Sequence, residues 1–208
     1  MGEELGLRER KKVRTREAIS SAAIALFLES GFDAVPVAEV ARVAEVAKRT
    51  LFAYFPTKED LVLHRFADHE TESADVVRRR PAGLGPLAAL REDFLAGLRQ
   101  REPVTGLAED PEVLGVFRMV TETPTLAARM LRFNAAGEAA LAVALAEAGT
   151  PPLESALAAA QVSAVRWSLA TANMATLAAG VTAAARYPDA VAAAERGFAM
   201  LRDGVGLD

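Results

Sequence analysis

The sequence contains no cysteine and only two histidines. Without thiols the chain cannot form disulfide bonds, thiolate nucleophiles or cysteine-ligated zinc sites, which excludes a small disulfide-rich secreted scaffold and favours the cytoplasm. The two histidines, His64 and His69, are separated by a spacing that does not place them on one face of a helix. Because no third ligand accompanies them, we expect no metal site.

The motifs of common enzyme classes are also missing. The sequence has no Gly-x-Ser-x-Gly, no P-loop and no Gly-x-Gly-x-x-Gly following a strand. Glu109, Asp110 and Glu112 cluster beside Pro111, but this arrangement is more typical of a charged helix start than of a catalytic carboxylate pair. We therefore expect a protein that is not an enzyme and needs no cofactor.

A convincing membrane segment is missing as well. Residues 167–185 carry no charge, and this length is within the range that spans a bilayer. Alanine supplies most of the apolar character, and five polar residues interrupt the stretch: Ser168, Thr171, Asn173, Thr176 and Thr182. The N-terminus lacks the basic segment and apolar run of a secretory signal. We expect a buried helix in a soluble, cytoplasmic protein without a membrane partner.

The charge that is present is distributed unevenly. The net charge is −4, which by itself argues weakly against nucleic acid as a partner. Residues 8–16, however, include six basic residues and one acidic residue, a local charge of +5. From residue 61 onward, 14 basic and 18 acidic residues give a local charge of −4. Only the N-terminal end of the chain therefore suits a polyanionic partner.

Helical periodicity begins next to this basic segment. Five apolar residues follow the spacing of an amphipathic helix: Ile19, Ala22, Ala23, Leu26 and Phe27. Gly31 is placed to end this helix as a C-cap, and Pro36 is suited to the first turn of a second, short helix. A tight break at residues 44–47 leads to a third helix over residues 47–55. The sequence therefore predicts a helix-turn-helix, whose second helix enters the major groove of DNA.

The third helix has two different faces. Within one arc of about 100° lie two cations and an aromatic side chain, Lys48, Arg49 and Phe52. The other side carries residues that can pack, Ala47, Leu51 and Tyr54. Read alone, the cationic face fits a DNA-reading surface and a solvated helix surface equally well.

Further helices are predicted along the rest of the chain. Pro56 ends the third helix and Thr57 is suited to cap the next, which we expect to continue from residue 61 to about residue 80. Lys58 is unfavourable near a helix N-terminus unless an anion such as a phosphate is close. After a boundary at residues 81–86, four or five helices should follow. The last two are rich in alanine and need cover on several sides, as a symmetric dimer would provide.

The first third of the chain resembles the DNA-binding domain of the TetR (tetracycline-repressor) family. The resemblance is carried by ordered segments, Thr15-Arg16-Glu17-Ala18-Ile19, Ala22-Ala23, Leu26-Phe27-Leu28-Glu29-Ser30-Gly31-Phe32, Val40-Ala41, Thr50-Leu51-Phe52-Ala53-Tyr54-Phe55 and Lys58-Glu59-Asp60-Leu61. It covers about 50 residues and is far more specific than an isolated helix-turn-helix pattern. It implies an all-α fold, with a three-helix DNA-binding domain over residues 1–60 and a helical ligand-binding and dimerisation domain over residues 61–208.

The resemblance also implies roles for individual residues on DNA. Base edges would be faced by Lys48, Arg49 and Phe52, and the phosphate backbone would be contacted by Thr50, Tyr54 and Lys58. The chemistry agrees, because Arg or Lys can pair with guanine, Phe can touch a thymine methyl group, and hydroxyl or ammonium groups can reach phosphate oxygens. Thr50 and Tyr54 lie on or beside the packing side, so a structural role stays open for both.

The sequence departs from the family pattern at the turn. Many members resemble Ala-Gly-Val-Ser where residues 44–47 here are Ala-Glu-Val-Ala. If Glu45 takes a positive φ, the cost relative to glycine is about 1 kcal/mol, and the missing serine cap costs ~1 kcal/mol more. Glu45 would also bring a negative charge close to the phosphates.

A small-molecule pocket in the C-terminal domain and a homodimer through the last two helices are further implications of the resemblance. Candidate lining residues are Phe94, Phe117, Met119, Met130, Phe133, Trp167 and Met174, with Arg166, Thr171 or Asn173 as polar groups. Ordinary core packing stays open for each of them. Residues 119–132, with Trp167, are similar to an actinobacterial subgroup whose C-terminal domain is described as binding acyl-CoA-like ligands.

Together these features predict a ligand-responsive dimeric transcriptional regulator. It would be a repressor that binds a palindromic operator in double-stranded DNA and is released by a small apolar or amphipathic effector. The alternative is a helical small-molecule-binding protein or enzyme in which the DNA-binding unit is vestigial.

Overall fold

The computed structural model describes residues 6–67, 69 and 71–204, and these residues are helical throughout apart from turns and loops. The ten α-helices in this part of the chain are α1 (Leu7–Ser30), α2 (Val37–Val43), α3 (Lys48–Tyr54), α4 (Asp60–Ala67), α5 (Glu72–Arg79), α6 (Pro86–Gln100), α7 (Pro111–Glu122), α8 (Pro124–Glu147), α9 (Pro152–Ala178) and α10 (Ala183–Asp203). A short 3₁₀ helix, Pro103–Thr105, lies between α6 and α7. The predicted all-α class is confirmed. No helix among the described residues is long and apolar enough to cross a membrane.

The helices form two compact units. The first contains the described residues up to Arg65 together with Arg118–Arg129, and the second contains Phe66–Phe117 and the described residues from Met130 onward. Helices α7 and α8 therefore contribute residues to both units. The inclusion of Arg118–Arg129 in the first unit was not expected, because its apolar spacing is like that of any other helix in the C-terminal half.

Helix α1 forms as predicted and supplies much of the first unit's core. Ile19, Ala23 and Phe27 are buried along one side of the helix, and the ring of Phe27 meets that of Phe32 edge-on at 5.1 Å. Gly31 ends the helix with φ 89° and ψ 145°, while its N–H donates to the carbonyl of Phe27. This backbone conformation is open essentially to glycine alone. The predicted glycine C-cap is confirmed.

The turn between α2 and α3 is a Schellman motif. The N–H of Val46 donates to the carbonyl of Ala41 at 3.0 Å, and the N–H of Glu45 donates to that of Arg42 at 3.2 Å. Glu45 occupies the position that normally belongs to glycine, with φ 53°. Glu45 therefore takes the positive φ whose cost the sequence analysis considered. Pro36 precedes α2 as its N-cap and is not in the first turn, where it was expected.

Helix α3 begins and ends within one residue of each predicted boundary. Ala47 is its N-cap residue and makes no side-chain capping bond, and Phe55 is its C-cap. Leu51 and Phe55 are 0% and 1% exposed, so the packing side of α3 is anchored in the core. Ala47 was expected on this packing side but is exposed, because its backbone is extended rather than helical.

A reciprocal pair of hydrogen bonds starts α4. The N–H of Asp60 donates to Thr57 Oγ1 at 3.3 Å, and the N–H of Thr57 donates to Asp60 Oδ2 at 3.1 Å, in the manner of a capping box. The predicted cap at Thr57 is confirmed. The second carboxylate oxygen of Asp60 accepts a 2.8 Å hydrogen bond from Arg129 in the same unit.

The predicted continuous helix over residues 61–80 is wrong. Helix α4 ends at Ala67 and α5 begins at Glu72. The N–H of His69 donates to the carbonyl of Phe66, three residues back, which tightens the chain into a turn, and Thr71 then serves as the N-cap of α5. Residues 68–71 are all polar in sequence, so no apolar burial favours a continuous helix there.

The second unit is built around one core shared by α5, α6, α8, α9 and α10. Its large buried side chains are Val77, Leu90, Phe94, Leu98, Leu107, Leu141, Leu145, Val162, Leu177 and Phe198. The loop after the 3₁₀ helix lies so close to α9 that a Cβ atom at Gly106 would be 2.0 Å from the carbonyl oxygen of Ala170. Asn173 Nδ2 donates to the carbonyl of Thr105 at 2.9 Å and holds this loop in place.

The turn before α3 generates the first prediction. Glu45→Gly should raise the free energy of unfolding by about 1 kcal/mol, because glycine takes a positive φ without the Cβ clash. Ala47→Ser should add ~1 kcal/mol by capping α3. Urea denaturation followed by circular dichroism measures both. Glu45→Ala is the matched control, since it removes the charge but keeps the Cβ atom; equal stabilisation by alanine would contradict the backbone explanation.

Asp60 generates the second prediction. Asp60→Ala should lower the free energy of unfolding by about 2 kcal/mol, because it removes the helix cap and leaves the half-buried Arg129 guanidinium unpaired. Arg129→Ala should cost less, since the capping bonds between Thr57 and Asp60 remain. Urea denaturation of the two variants gives the order, and a greater loss for Arg129→Ala would contradict it.

Candidate functional site

The outward face of α3 consists of Lys48, Arg49 and Phe52, and all three side chains are exposed. The Lys48 ammonium lies 5.9 Å from the centroid of the Phe52 ring. Leu51, on the opposite side, is completely buried. The structure therefore brings the three predicted base-contacting residues together on one surface and orients them by burying the other side of the helix. We call these three residues the α3 face.

The predicted phosphate-contacting residues of α3 flank this face. Thr50 is exposed in the first turn, and Tyr54 is half-buried in the last. Thr50 is thus free of the core, whereas Tyr54 is partly covered by the protein. The packing role that the sequence left open for both residues therefore fits Tyr54 better than Thr50.

Lys58 is engaged with the protein itself. Its ammonium donates to the carbonyl of Phe32 at 2.5 Å and lies 4.6 Å from the centroid of the Phe32 ring and 5.4 Å from that of Phe27. The side chain is half-buried. A carbonyl dipole and two aromatic faces stabilise the cation at this helix start, where the sequence suggested that a phosphate would be needed. The sequence did not indicate this contact, because Phe32 lies 26 residues from Lys58 in the chain.

Further cations project from the N-terminal half of α1. Lys11, Lys12 and Arg14 are exposed, and Lys12 has a loose 3.5 Å ion pair with Glu9. Arg16 behaves differently, because its guanidinium lies 5.7 Å from the centroid of the Phe55 ring and its Nε is buried. The basic segment therefore offers several solvent-facing charges, while Arg16 packs against the end of α3.

The two charged side chains of helix α2 form an ion pair with each other. Arg42 donates to Glu39 through Nη2 at 2.6 Å and through Nε at 3.1 Å. These side-chain hydrogen bonds hold the pKa of the Glu39 carboxyl below its ordinary value and raise that of Arg42. The pair is exposed and nearly neutral overall, so α2 adds little net charge next to the α3 face.

The second unit contains a cavity of about 370 Å³, within the usual range for small-molecule sites. Its walls come from α5, α6, the 3₁₀ helix and α9, through Glu72, Asp75, Val76, Arg79, Asp93, Phe94, Glu102, Val104, Thr105 and Arg166. Two of these residues, Phe94 and Arg166, were among the candidates from the sequence. We call this space the α5–α9 cavity.

The other predicted ligand-binding residues lie outside the lining of this cavity. Met130 and Met174 are buried, Phe117, Phe133 and Thr171 are half-buried, and Trp167 is 39% exposed. Asn173 is buried, with its amide bonded to Thr105 on one side and to Arg186 on the other. The sequence analysis missed the acidic part of the lining, because carboxylates from α5, α6 and the residue before the 3₁₀ helix form no pattern along the chain.

Comparison with known proteins gives a family match for the N-terminal part of the chain. Residues 19–64 match the family described as "Bacterial regulatory proteins, tetR family". The transcriptional regulator TcmR of Streptomyces glaucescens is 34% identical over 145 residues, which cover 66% of this chain and 61% of that protein. The putative mycofactocin biosynthesis regulator MftR of Mycobacterium tuberculosis is 30% identical over 112 residues, covering 50% and 57%.

The fold is similar to that of a solved structure. The complex of SmeT with triclosan superimposes with a TM-score of 0.61 over 93% of this chain and 95% of that one, at 17% identity. At this identity the likeness establishes the fold alone. This chain spans about 60% of the length of its relatives TcmR and MftR. The match over residues 19–64 shows that α1–α4 contain a segment of the TetR family of bacterial regulatory proteins, and the likeness in fold to the solved structure extends over 93% of the chain.

Proposed function

We propose that the protein is a ligand-responsive, dimeric transcriptional regulator that represses by binding a palindromic DNA operator. The observation that carries this proposal is the α3 face, an exposed cationic and aromatic surface on the second helix of a helix-turn-helix. The relatives TcmR and MftR are named as transcriptional regulators, which supports a regulator over an enzyme. A cytoplasmic location follows from the proposed role, because the operator is there.

Base recognition is assigned to the α3 face. Lys48 and Arg49 can each donate to guanine O6 and N7 in the major groove, and Phe52 can contact a thymine methyl group. Neither cation has an ion pair within the described part of the chain, so both charges are available to DNA. The ring of Phe52, next to the Lys48 ammonium, limits the conformations of that side chain before DNA arrives.

Contacts to the phosphate backbone are assigned to Thr50, Tyr54 and Lys58. Thr50 is exposed beside the α3 face and Tyr54 is half-buried, and each carries a hydroxyl group of the kind that donates to phosphate oxygens. Lys58 already donates to the carbonyl of Phe32 and must keep or exchange that bond when DNA binds. The exposed cations of α1 add a sequence-independent attraction.

Dimerisation is assigned to the outer faces of α9 and α10. The exposed side of α9 carries Leu153, Leu157, Ala164 and Ala175, which repeat at near-heptad spacing, and α10 exposes Ala185, Ala192 and Met200 on one stripe. These apolar surfaces have small side chains that allow close helix packing. A twofold dimer formed through them would present two copies of α3 to the two halves of a palindromic site.

Regulation is assigned to an effector that binds in the second unit. The α5–α9 cavity is the candidate site, and the solved structure of SmeT contains the small molecule triclosan. An effector releases the DNA only if it binds more tightly to a conformation that fits the operator poorly. The acyl-CoA-like class implied by the sequence resemblance remains a prediction.

A mobility-shift titration on the DNA upstream of the protein's own gene tests the proposal. Lys48→Ala or Arg49→Ala should each cost ~1 to 3 kcal/mol of binding free energy and relax the base preference at one position. Arg132→Ala, an exposed arginine on α8, is the matched control and should bind like the unaltered protein. Absence of sequence-selective, salt-sensitive binding would disprove the regulator proposal.

Lys58 requires a separate readout in the same titration. If it contacts a phosphate, Lys58→Ala should weaken all DNA sequences alike and reduce the salt slope of log K by about 1. If its role is confined to Phe32 and Phe27, the variant should lose stability in urea and keep the salt slope unchanged.

The dimer face generates a further prediction. Ala164→Glu combined with Ala175→Glu should weaken dimerisation by about 100-fold or more, because each unpaired carboxylate would be buried between apolar helices. Sedimentation velocity measures the dimer fraction. Ala139→Glu, at an exposed position of α8, is the control. An unchanged dimer in the double variant would show that this face of α9 is not the interface.

A further inference from the structure

Arg16 is held in place by the protein but has no polar partner within the described residues. Its guanidinium carbon lies 5.7 Å from the centroid of the Phe55 ring, and the side chain is half-buried. Its Nε atom is buried and makes no hydrogen bond. A buried donor without an acceptor is unfavourable, so packing against Phe55 alone leaves the hydrogen-bonding capacity of this arginine unused.

The ring that holds Arg16 is itself fixed. Phe55 is the C-cap residue of α3, is 1% exposed, and donates its N–H to the carbonyl of Leu51 at 2.9 Å. Its ring meets that of His64 edge-on at 5.2 Å. His64 Nδ1 lies 3.1 Å from the hydroxyl oxygen of Ser20, one turn after Arg16 on α1. The guanidinium of Arg16 therefore lies against a well-packed surface at the end of α3.

Two other half-buried cations of the first unit differ from Arg16, because each has found an acceptor. Lys58 donates to a backbone carbonyl, and Arg129 donates to Asp60. Arg16 is comparably buried, yet no carboxylate or carbonyl in the described part of the chain accepts from it. Its position thus leaves the acceptor to be supplied by another molecule.

The surroundings of Arg16 favour an anionic acceptor. Ile19 is the first buried residue of α1 among the side chains that the structure describes, so the segment before it lies outside the core. Residues 10–14 are exposed and carry four cations. Glu9, the acidic residue among them, already has an ion pair with Lys12. An anion beside Arg16 would therefore meet further positive charge along α1.

We propose that Arg16 binds a phosphate group of the operator backbone through Nη1 and Nη2 while the Phe55 ring holds its guanidinium. This inference rests on the proposed function, since it adds a contact to the same DNA-binding surface. Nε is the only unpaired nitrogen of this side chain that is buried, so the two terminal nitrogens are accessible. Their fork of N–H donors matches two phosphate oxygens, and a side chain already held by a ring loses less conformational entropy on binding.

This contact would fix the end of α3 on the DNA. Because Phe55 directly follows the last helical residue of α3, a phosphate bound to Arg16 would hold that end of the helix at one distance from the backbone. Contacts of this kind set the register in which neighbouring side chains meet the base edges. Arg16 would act on every sequence alike and carry no base preference of its own.

The first variant is Arg16→Met, studied in the full-length protein by fluorescence anisotropy on two duplexes at several salt concentrations. The duplexes are the DNA upstream of the protein's own gene and an unrelated sequence of the same length. Affinity for both should fall about tenfold, and the salt slope of log K should decrease by about 1. Methionine keeps an apolar contact with Phe55 and removes the unsatisfied donor, so the urea midpoint should stay nearly unchanged.

The second variant separates the held guanidinium fork from its charge. Arg16→Lys should weaken binding about threefold and keep the salt slope, because lysine retains one cation but neither the fork nor the contact with the ring. Arg14→Lys is the matched control, since Arg14 is exposed and lies on the opposite side of α1, roughly 200° around the helix. The control should bind both duplexes like the unaltered protein.

The outcomes distinguish this inference from the proposed function. A purely structural role for Arg16 would lower the urea midpoint of Arg16→Met and leave the salt slope unchanged, which would overturn the phosphate contact. Should Arg16→Met not fold, equal affinities of Arg16→Lys and Arg14→Lys would overturn it as well. If the unaltered protein selects its upstream DNA in either case, the proposed function stands. If it binds both duplexes equally and Arg16→Met still reduces the slope, the inference stands and the proposed function is lost.

Discussion

The functional surface depends on the burial of one side of a very short helix. With seven residues, α3 makes about two turns. An isolated helix of that length is unstable in water, because its few hydrogen bonds do not offset the unfavourable free energy of nucleation. Leu51 and Phe55 hold it against the core, where Phe55 packs edge-on against His64 and lies beneath Arg16. The core below α3 therefore determines which side chains of α3 face outward, and these buried contacts stabilise the helix more than its intrinsic helix propensity does.

The charged side chains of the first unit are of two kinds: some are paired within the protein, and others have no ion-pair partner among the described residues. Lys58 is stabilised by a carbonyl and two rings, and Asp60 accepts both a capping N–H and the guanidinium of Arg129. Among the described residues neither Lys48 nor Arg49 has an ion pair, and the Lys48 ammonium lies beside the exposed ring of Phe52. The strained Glu45 in the preceding turn reduces the stability of this arrangement, so that part of the order of α3 has to come from its buried contacts.

The charged side chains of the second unit are distributed differently. Its core is apolar and closely packed, with Gly106 allowing a loop to approach α9, but the cavity beside this core is lined with carboxylates that outnumber arginines. All four carboxylates are more than a third exposed, so solvent screens their mutual repulsion.

The sequence alone determined the helical class, the helix-turn-helix, the two faces of α3, the glycine end of α1 and the unusual turn at Glu45, because each is a local pattern of spacing, capping or backbone preference. It failed at the break between α4 and α5, where a local turn leaves no signal in the apolar spacing, and it failed where distant residues meet. The Lys58 contact joins residues far apart in the chain, and the cavity draws its carboxylates from α5, α6 and the residue before the 3₁₀ helix. Only the tertiary structure decided these, since burial and charge pairing arise when segments without a common sequence period come within a few ångströms of each other.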